Sequence, residues 1–456
     1  MNFRLAQFPG RRVAGGIVLA YILMSAQAAP QTEALFPLKV SSNGRHLVDQ
    51  NDRPFLVVGD TPWSLIVQPA MPDIERYLAD RHARGFNSII VNLIEHKFCS
   101  NPPRTRSGLA PFDRPGDFST PNGQYFDFAH EVVQKANERG IVVWLAPAYL
   151  GSGGGDEGFF KDIKAGGRQR LRDYGAFVAE RFKDLPNIIW VLGGDFTPNP
   201  PDRWTVTELA EGIRRRDGGH LMTVHNSPEN SAAAVYGQES WLTVDAVYSY
   251  ERTLFHPVLA EYASKPARPY VLIESTYEGE HKATADLIRR QAYWAMLGGA
   301  CGQFLGNNPL WHFDGPGLYA VKQTWQEALD SPGSGDMSRL GSLFRSLPWH
   351  QLRPEEKHSI VTEGYGKDVA TALTALTPDQ KFSVIYVPST GTGRRELTVD
   401  TSRFAGPASV RWCNPTIAGV TPAEVSVLPN KGAHRLLTPG DNGTGVNDWV
   451  LLLQAK

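Results

Sequence analysis

Short apolar runs alternate with amphipathic stretches over the first two thirds of this 456-residue chain. The runs are apolar at nearly every position rather than at every second one, which is typical of strands buried on both faces of a parallel sheet. Amphipathic stretches with helical spacing lie between most of them. The runs number eight, at 55–60, 88–93, 141–147, 187–192, 221–225, 246–250, 270–274 and 302–306, and the helical stretches lie at roughly 71–84, 127–139, 168–184, 202–216 and 284–297.

This alternation predicts the fold class. Eight strands with helices between them are the elements of an α/β fold of the (β/α)8 type, the TIM barrel. A doubly wound sheet would usually place a glycine-rich phosphate-binding turn after its first strand, and no such turn follows residues 55–60. The barrel is therefore expected to occupy residues 29–349, with a β-hairpin at 35–54 packed against it.

The pattern changes after about residue 349. Four short β-prone segments, at 383–387, 396–399, 409–412 and 449–453, are separated by stretches rich in Gly, Thr, Pro and Asn. No long helical pattern remains in this part of the chain. The spacing predicts an antiparallel β-sandwich as a C-terminal domain over residues 350–456.

The first residues have the organisation of a signal peptide. Arg4, Arg11 and Arg12 form a positive region without acidic residues, and an apolar stretch at 13–24 follows. Ala26-Gln27-Ala28 then fits a small-residue cleavage site, which predicts a signal peptide over residues 1–28 and an exported protein, periplasmic or secreted. An uncleaved amphipathic anchor is the alternative. No second apolar segment is long enough to span a bilayer, so no membrane association is expected after cleavage.

Charge and cysteine content argue against a nucleic-acid partner, a disulfide framework and a zinc site. Removing residues 1–28 would move the formal net charge only from −1 to −4, and no basic patch indicates nucleic acid. Cys99, Cys301 and Cys413 are too few and too scattered for a disulfide framework or a zinc site. One bridge and buried free thiols both remain open. No metal-binding or nucleotide-binding motif is present, so we expect neither a metal nor a cofactor.

Two carboxylates stand where a barrel enzyme carries its chemistry, at the carboxyl ends of strands. Asp195 follows the fourth predicted strand, and Glu274 ends the seventh. These two strands lie roughly opposite each other, so their side chains can approach over the barrel centre. Glycoside hydrolysis needs one carboxyl to protonate the departing oxygen and another to attack the anomeric carbon or activate water. A helix-capping Asp and a salt-bridged Glu are the structural alternative.

Other side chains at the predicted strand ends are suited to binding a sugar. Aromatic rings pack against the C–H faces of sugars, while polar groups bind hydroxyls. Any one of the aromatic residues could instead belong to the core, Asp60 could cap a loop, and Glu95 could form an ion pair at the rim. The predicted substrate-binding residues are Asp60, Trp63, Glu95, His96, Tyr149, His225, Tyr250, Tyr277, Asn307 and Trp311.

From about residue 36 to the C-terminus the chain resembles the apiosidase-like glycoside hydrolases. The motifs that carry this resemblance are Gly59-Asp60-Thr61-Pro62-Trp63, Arg84-Gly85-Phe86-Asn87, Pro186 to Asp195, and Gly306 to Trp311. In that family a barrel precedes a β-domain that carries a collagen-binding label. The resemblance implies that Asp195 is the acid/base and Glu274 the nucleophile. The chain departs from a Gly-Glu-Pro-like pattern at the second carboxylate, where it reads Ile273-Glu274-Ser275-Thr276.

The predicted function is hydrolysis of a terminal glycosidic bond in a plant or microbial polysaccharide, with an apiosyl linkage in pectin as one candidate. The expected partner is therefore an oligosaccharide or polysaccharide. Two alternatives remain: a non-catalytic carbohydrate- or matrix-binding protein on a barrel scaffold, and a polysaccharide lyase. The C-terminal domain shows no collagen-specific feature, and we expect it to pack against the barrel.

Overall fold

The computed structural model describes residues 35–418 and 420–456, so the predicted signal peptide lies outside the described residues. The described chain begins with a small antiparallel sheet of three strands, β1 (Lys39–Val40), β2 (Leu47–Val48) and β3 (Pro54–Phe55), in that order. The sequence predicted a hairpin here, and the structure adds β3 as its third strand. Phe55 of β3 leads almost directly into the first barrel strand.

Eight parallel strands form the predicted barrel. They are bonded in the order β8-β7-β6-β5-β4-β11-β10-β9. Hydrogen bonds from the amides of Thr243 and Val244 to the carbonyl of Met222, both 3.1 Å, join the region before β9 to β8 and nearly close the ring. Every residue of these strands is buried, which explains the continuous apolar runs. The barrel strands are β4 (Val57–Asp60), β5 (Ser88–Asn92), β6 (Val142–Ala146), β7 (Ile188–Gly193), β8 (Leu221–His225), β9 (Asp245–Tyr248), β10 (Tyr270–Glu274) and β11 (Gly302–Leu305).

Helices surround the barrel, and all five predicted helical stretches correspond to observed ones: α1, α2, α4, α5 and α8. The structure adds helices that the periodicity did not predict, namely α3, α6, α7, α9 and α10. The helices are α1 (Met71–Ala83), α2 (Gly123–Asn137), α3 (Phe160–Gly166), α4 (Arg168–Phe182), α5 (Trp204–Arg214), α6 (Ala232–Tyr236), α7 (Phe255–Ala263), α8 (Ala285–Leu297), α9 (Trp325–Ala328) and α10 (Pro332–Arg345), with 3-10 turns at Ser152–Gly154, Pro200–Asp202, Trp349–Gln351 and Asp368–Ala370.

The C-terminal part is an antiparallel β-sandwich, as predicted. A six-stranded sheet in the order β12-β14-β15-β20-β17-β18 faces a three-stranded sheet in the order β13-β16-β19. Ile385, Leu397 and Leu451 belong to the apolar core between the two sheets. The strands are β12 (Arg353–Pro354), β13 (Val361–Glu363), β14 (Leu373–Leu376), β15 (Phe382–Val387), β16 (Glu396–Asp400), β17 (Ala408–Cys413), β18 (Val420–Leu428), β19 (Ala433–Leu437) and β20 (Trp449–Ala455).

The outer face of the six-stranded sheet packs on the barrel. Alternate residues of β15 divide between two cores: Val384 and Tyr386 join the core that continues from the barrel, whereas Ile385 joins the sandwich core. The ring of Tyr386 stacks on Tyr293 of α8, with centroids 4.6 Å apart and planes 3° apart. This contact supports the expected packing role of the C-terminal domain.

The three cysteines are buried free thiols, which is one of the two arrangements that the sequence left open. Burial raises the pKa of both Cys99 and Cys301 to about 12, so neither thiol ionises readily. Across the described residues, the helices are all too short or too polar to cross a bilayer.

Candidate active site

A cavity of about 640 Å³ opens at the carboxyl ends of the barrel strands. Asp195 and Glu274 both line it, as the strand-end argument predicted. Six of the predicted substrate-binding residues line it as well. These are Trp63, Tyr149, His225, Tyr250, Tyr277 and Trp311.

A tight turn after β7 brings Asp195 into the cavity wall. Gly193, Gly194 and Asp195 all have positive φ angles, of 77°, 123° and 52°. A Cβ atom on Gly194 would lie 2.5 Å from the ring of Tyr149, so the close approach of the two chain segments requires glycine there. Asp195 is not a glycine, and its left-handed conformation is strained, which is common where a side chain must be aimed at a site.

The surroundings of Asp195 suit a proton donor. Burial, and then the negative charge of Glu274, raise its pKa to about 6, against the opposing effects of His225 and of hydrogen bonds from Tyr248 and Ser152. A carboxyl with this pKa keeps its proton in mildly acidic solution and can still lose it during a reaction. The effect of Glu274 on Asp195 also indicates that the two carboxyl groups lie close enough to interact.

Glu274 is held at both of its oxygens. The Oε2 atom lies 2.8 Å from Nε2 of His225, and Oε1 accepts a hydrogen bond of 3.0 Å from the hydroxyl of Tyr250. The Nδ1 atom of His225 accepts from the backbone N–H of Asp195 at 2.8 Å, so the ring proton is on Nε2 and points to Glu274. The ring of His225 also stacks on Tyr248, with centroids 4.9 Å apart. Glu274 is thus fixed in position between two donors.

Aromatic side chains form much of the remaining wall. The indole N–H of Trp63 donates to the hydroxyl of Tyr277 at 2.8 Å, which leaves the flat faces of both rings to shape the cavity. Trp311 packs edge-on against Phe98, with ring centroids 5.2 Å apart. Two carboxylates among several flat rings make a site that suits a sugar ring and the cleavage of its glycosidic bond.

The family model of the apiosidase-like catalytic domain matches residues 41–351. The chain belongs to the apiosidase-like glycoside hydrolase family. It is similar in structure to a protein described as a glycoside hydrolase, with 25% identity and a TM-score of 0.79, over 92% of this chain and 97% of that one. Among curated proteins no match was found.

Two further solved structures share the fold of this apiosidase-like hydrolase. A glycoside hydrolase family 5 protein from Bacteroides vulgatus is 24% identical, with a TM-score of 0.79 over 92% of this chain and 93% of that one. A family 5 mannosidase from Rhizomucor miehei is 12% identical, with a TM-score of 0.51 over 68% of this chain and 98% of that one. The match to the Bacteroides vulgatus protein covers 92% of this chain and so extends past the barrel, which means that this protein shares the sandwich as well.

Four of the predicted substrate-binding residues lie outside the cavity lining of this apiosidase-like hydrolase, and two of them are buried carboxyls. Asp60 is fully buried and binds the guanidinium of Arg81 at 3.2 Å and the hydroxyl of Tyr77 at 2.8 Å, both from α1. Glu95 accepts a hydrogen bond from Ser64, and burial raises its pKa to about 7. Both side chains fix the base of the loops around the cavity.

His96 and Asn307 are the other two. His96 packs edge-on against Phe159 and lies 3.6 Å from the carboxylate of Asp162, at the rim of the barrel. Asn307 is buried and donates to Oε2 of Glu278 at 2.9 Å, which ties the loop after β10 to the loop after β11. Neither residue lines the cavity: His96 contacts α3 and the residue before it, and Asn307 contacts the loop after β10.

Several cavity-lining residues of this apiosidase-like hydrolase were not among the predicted ones. Tyr248 is the last residue of β9. The sequence predicted that this strand continues to Tyr250, so the strand-end rule selected Tyr250 and not Tyr248. Glu280, which lies beyond the predicted end of the seventh strand, lines the cavity and accepts a hydrogen bond of 2.9 Å from the indole N–H of Trp311. The others include Asn92, Phe98, Ser152, Glu157, His281 and Tyr319.

Proposed function

We propose that the protein hydrolyses a terminal glycosidic bond of a plant or microbial polysaccharide, with Asp195 as the acid/base and Glu274 as the nucleophile. The observation that carries this proposal is the contrast between two carboxyls in one cavity. Asp195 has a pKa raised to about 6, whereas Glu274 receives hydrogen bonds from two donors. Different environments for two nearby carboxyls are the arrangement that lets one act as an acid while the other attacks.

In the first step, protonated Asp195 gives its proton to the glycosidic oxygen as the bond to the anomeric carbon breaks. Glu274 attacks that carbon from the opposite face and forms a glycosyl-enzyme ester. Asp195, now a carboxylate, then removes a proton from water, and the resulting hydroxide equivalent displaces Glu274. Asp195 is protonated again and Glu274 is a free carboxylate, so the cycle closes.

His225 and Tyr250 support Glu274 through this cycle. Their N–H and O–H groups hold the two carboxylate oxygens, 2.8 and 3.0 Å away, so that the attacking atom is oriented before substrate arrives. Orientation of this kind removes part of the entropic barrier to attack. His225 also accepts from the backbone of Asp195, so one ring positions both proposed catalytic groups.

Family membership makes an apiosyl linkage in pectin the first substrate to test. Wild type should release one sugar from one member of a panel of pectic and hemicellulosic oligosaccharides that includes apiose-bearing fragments. Asp195→Ala should lower kcat by about 10²–10⁴-fold, the usual contribution of a general acid, and Glu274→Ala should abolish turnover. Proton NMR of the first product should show the anomeric configuration of the substrate, because two displacements retain it.

Loss of activity is informative only in a variant that folds, so the circular dichroism spectrum and the melting temperature of each variant are compared with those of wild type. Unchanged sugar release by either folded variant would remove that residue from the mechanism. Sugar binding without turnover in wild type, and equally in Asp195→Asn and Glu274→Gln, would indicate a binding protein instead. Products that absorb in the ultraviolet would indicate a lyase.

A further inference from the structure

A third carboxyl, that of the buried Glu280, faces the same cavity as the two proposed catalytic groups. Its residue is 8% exposed and it lines the cavity wall on the loop that follows β10. The Oε1 atom accepts from the indole N–H of Trp311 at 2.9 Å. Within residues 35–418 and 420–456, no group donates a hydrogen bond to the Oε2 atom, which keeps contact with solvent in the cavity. An oxygen that no protein group binds but that the cavity reaches is open to a hydrogen bond from water or from a ligand hydroxyl.

The loop around Glu280 holds it in an unusual backbone conformation. Gly279, His281 and Lys282 all have positive φ angles, of 86°, 47° and 59°. Left-handed backbone at the two residues that are not glycine is strained and persists only where surrounding contacts hold it. Glu278 supplies such contacts to the loop after β11. Its amide donates to the carbonyl of Gly306, and its carbonyl accepts from the amide of Asn308, both at 2.9 Å. The conformation that places Glu280 at the wall is therefore enforced.

Negative charge dominates the ionisable groups of the cavity. Four carboxyls line it, those of Glu157, Asp195, Glu274 and Glu280, and the described lining includes neither arginine nor lysine. Lys97, outside the lining, lies 3.5 Å from Glu157. Such a cavity disfavours an anionic sugar through like-charge repulsion and favours a neutral, hydroxyl-rich one.

We propose that Glu280 is a specificity-determining residue, whose free oxygen binds a hydroxyl of the terminal sugar and whose charge excludes sugars that carry a carboxylate there. This role rests on the proposed function, since it concerns the sugar whose anomeric carbon Glu274 attacks. Burial, and then Glu274, raise the pKa of Glu280 to about 7, so the group donates a hydrogen bond in mildly acidic solution and carries the excluding charge only as the pH rises above that value. Asp195, Glu157, His225 and His281 are the other titratable groups that line the cavity beside the tyrosines.

The test compares Glu280→Ala and Glu280→Gln with the exposed control Glu356→Ala. Glu280→Ala should raise KM about 10–100-fold, the effect of losing a hydrogen bond to a charged group, and should change kcat less. Glu280→Gln keeps an acceptor for Trp311 but removes the charge, so at about pH 8, where Glu280 is ionised, it should improve the binding of uronic acids relative to neutral sugars about tenfold or more. Glu356→Ala should match wild type in every assay.

Binding is measured without turnover, so that a failure of the proposed hydrolysis can be told apart from a failure of the proposed role of Glu280. Saturation-transfer NMR and calorimetry would use neutral monosaccharides, including apiose, arabinose and mannose, against glucuronate and galacturonate. Two results would support the role, even if wild type cleaved no substrate in the panel. Glu280→Ala should bind neutral sugars more weakly, and Glu280→Gln should show a smaller preference for neutral sugars over uronic acids. Unchanged affinity and preference in both folded variants, or no neutral sugar bound by wild type, would overturn it.

Discussion

One imidazole ring connects the two proposed catalytic residues. His225 accepts from the backbone N–H of Asp195 at Nδ1 and donates from Nε2 to Glu274. Because the first contact leaves Nδ1 without a proton, the second contact is made by a neutral ring with a defined tautomer. Displacement of this ring would therefore disturb both carboxyls at once, which is why His225 is better described as a positioning residue than as a proton carrier.

The pKa of Asp195 predicts an acidic optimum. An acid must be protonated to act, so kcat/KM should fall as pH rises through about 6, the pKa of Asp195 in the free enzyme. Glu274→Gln removes the negative charge that contributes to this raised pKa, so the Asp195 pKa should fall in that variant. Carbon-13 NMR titration of labelled Asp side chains would measure it, with Glu356→Gln as the control. An unchanged pKa in Glu274→Gln would mean that burial alone raises it.

The strand-end rule found most of the candidate site but could not say which way each side chain points. Asp195 and Glu274 enter the cavity, whereas Asp60, also at a strand end, turns outward to Arg81 of α1. Successive strand residues face opposite sides, and the sequence alone does not fix which parity faces the barrel interior. Glu280 lies six residues beyond β10, where loop geometry rather than strand position decides the location.

The turn after β7 is the element that makes Asp195 available, and Gly194 is its most restricted position. Gly194→Ala would place a Cβ atom 2.5 Å from the Tyr149 ring in left-handed backbone, so the turn must shift. We expect a loss of about 1–3 kcal/mol in the free energy of unfolding and at least a tenfold fall in kcat, because the Asp195 carboxyl moves. Chemical denaturation and kinetics would measure both.

A glycine in open space provides the matched control. A Cβ atom on Gly218 would meet no neighbouring atom within 4 Å, and the backbone there is not left-handed, so Gly218→Ala should leave both stability and kcat unchanged. Wild-type kcat in Gly194→Ala would show that the turn does not set the position of Asp195. A large loss in Gly218→Ala would show that alanine substitution in these loops has a general effect.

Elements were predicted well where they are long and regular. The unpredicted helices α6 and α9 have only five and four residues, too few for a helical period to be recognised. The helix α10 is long but contains three glycines, which lower helix propensity. One of them, Gly341, lies so close to Val58 of β4 that a Cβ atom would come within 2.9 Å. Tertiary packing therefore selected residues that local propensity argues against.

At the scale of the whole molecule, a buried ion-pair cluster joins the barrel to the sandwich. Arg289 of α8 binds Asp448 through two nitrogens, at 2.9 and 2.8 Å, and also binds Asp336 of α10 at 2.8 Å. The hydroxyl of Tyr386 and the side-chain amide of Asn442 also donate to Asp448, at 2.9 and 2.6 Å. The sequence predicted that the C-terminal domain packs against the barrel, but not which residues of the run at 383–387 face it.

Asp448→Ala tests whether this cluster couples the two parts. The substitution leaves the buried guanidinium of Arg289 without its two-point partner, which should lower the free energy of unfolding by about 3–5 kcal/mol. Because α8 contacts both cores, calorimetry should show the barrel and the sandwich melting in one transition, shifted together to lower temperature. The exposed pair of Arg435 and Glu396, 3.7 Å apart, is the control, and Glu396→Ala should change stability by no more than about 1 kcal/mol. If Asp448→Ala destabilised a separate sandwich transition and left the barrel transition in place, the cluster would stabilise the C-terminal domain alone.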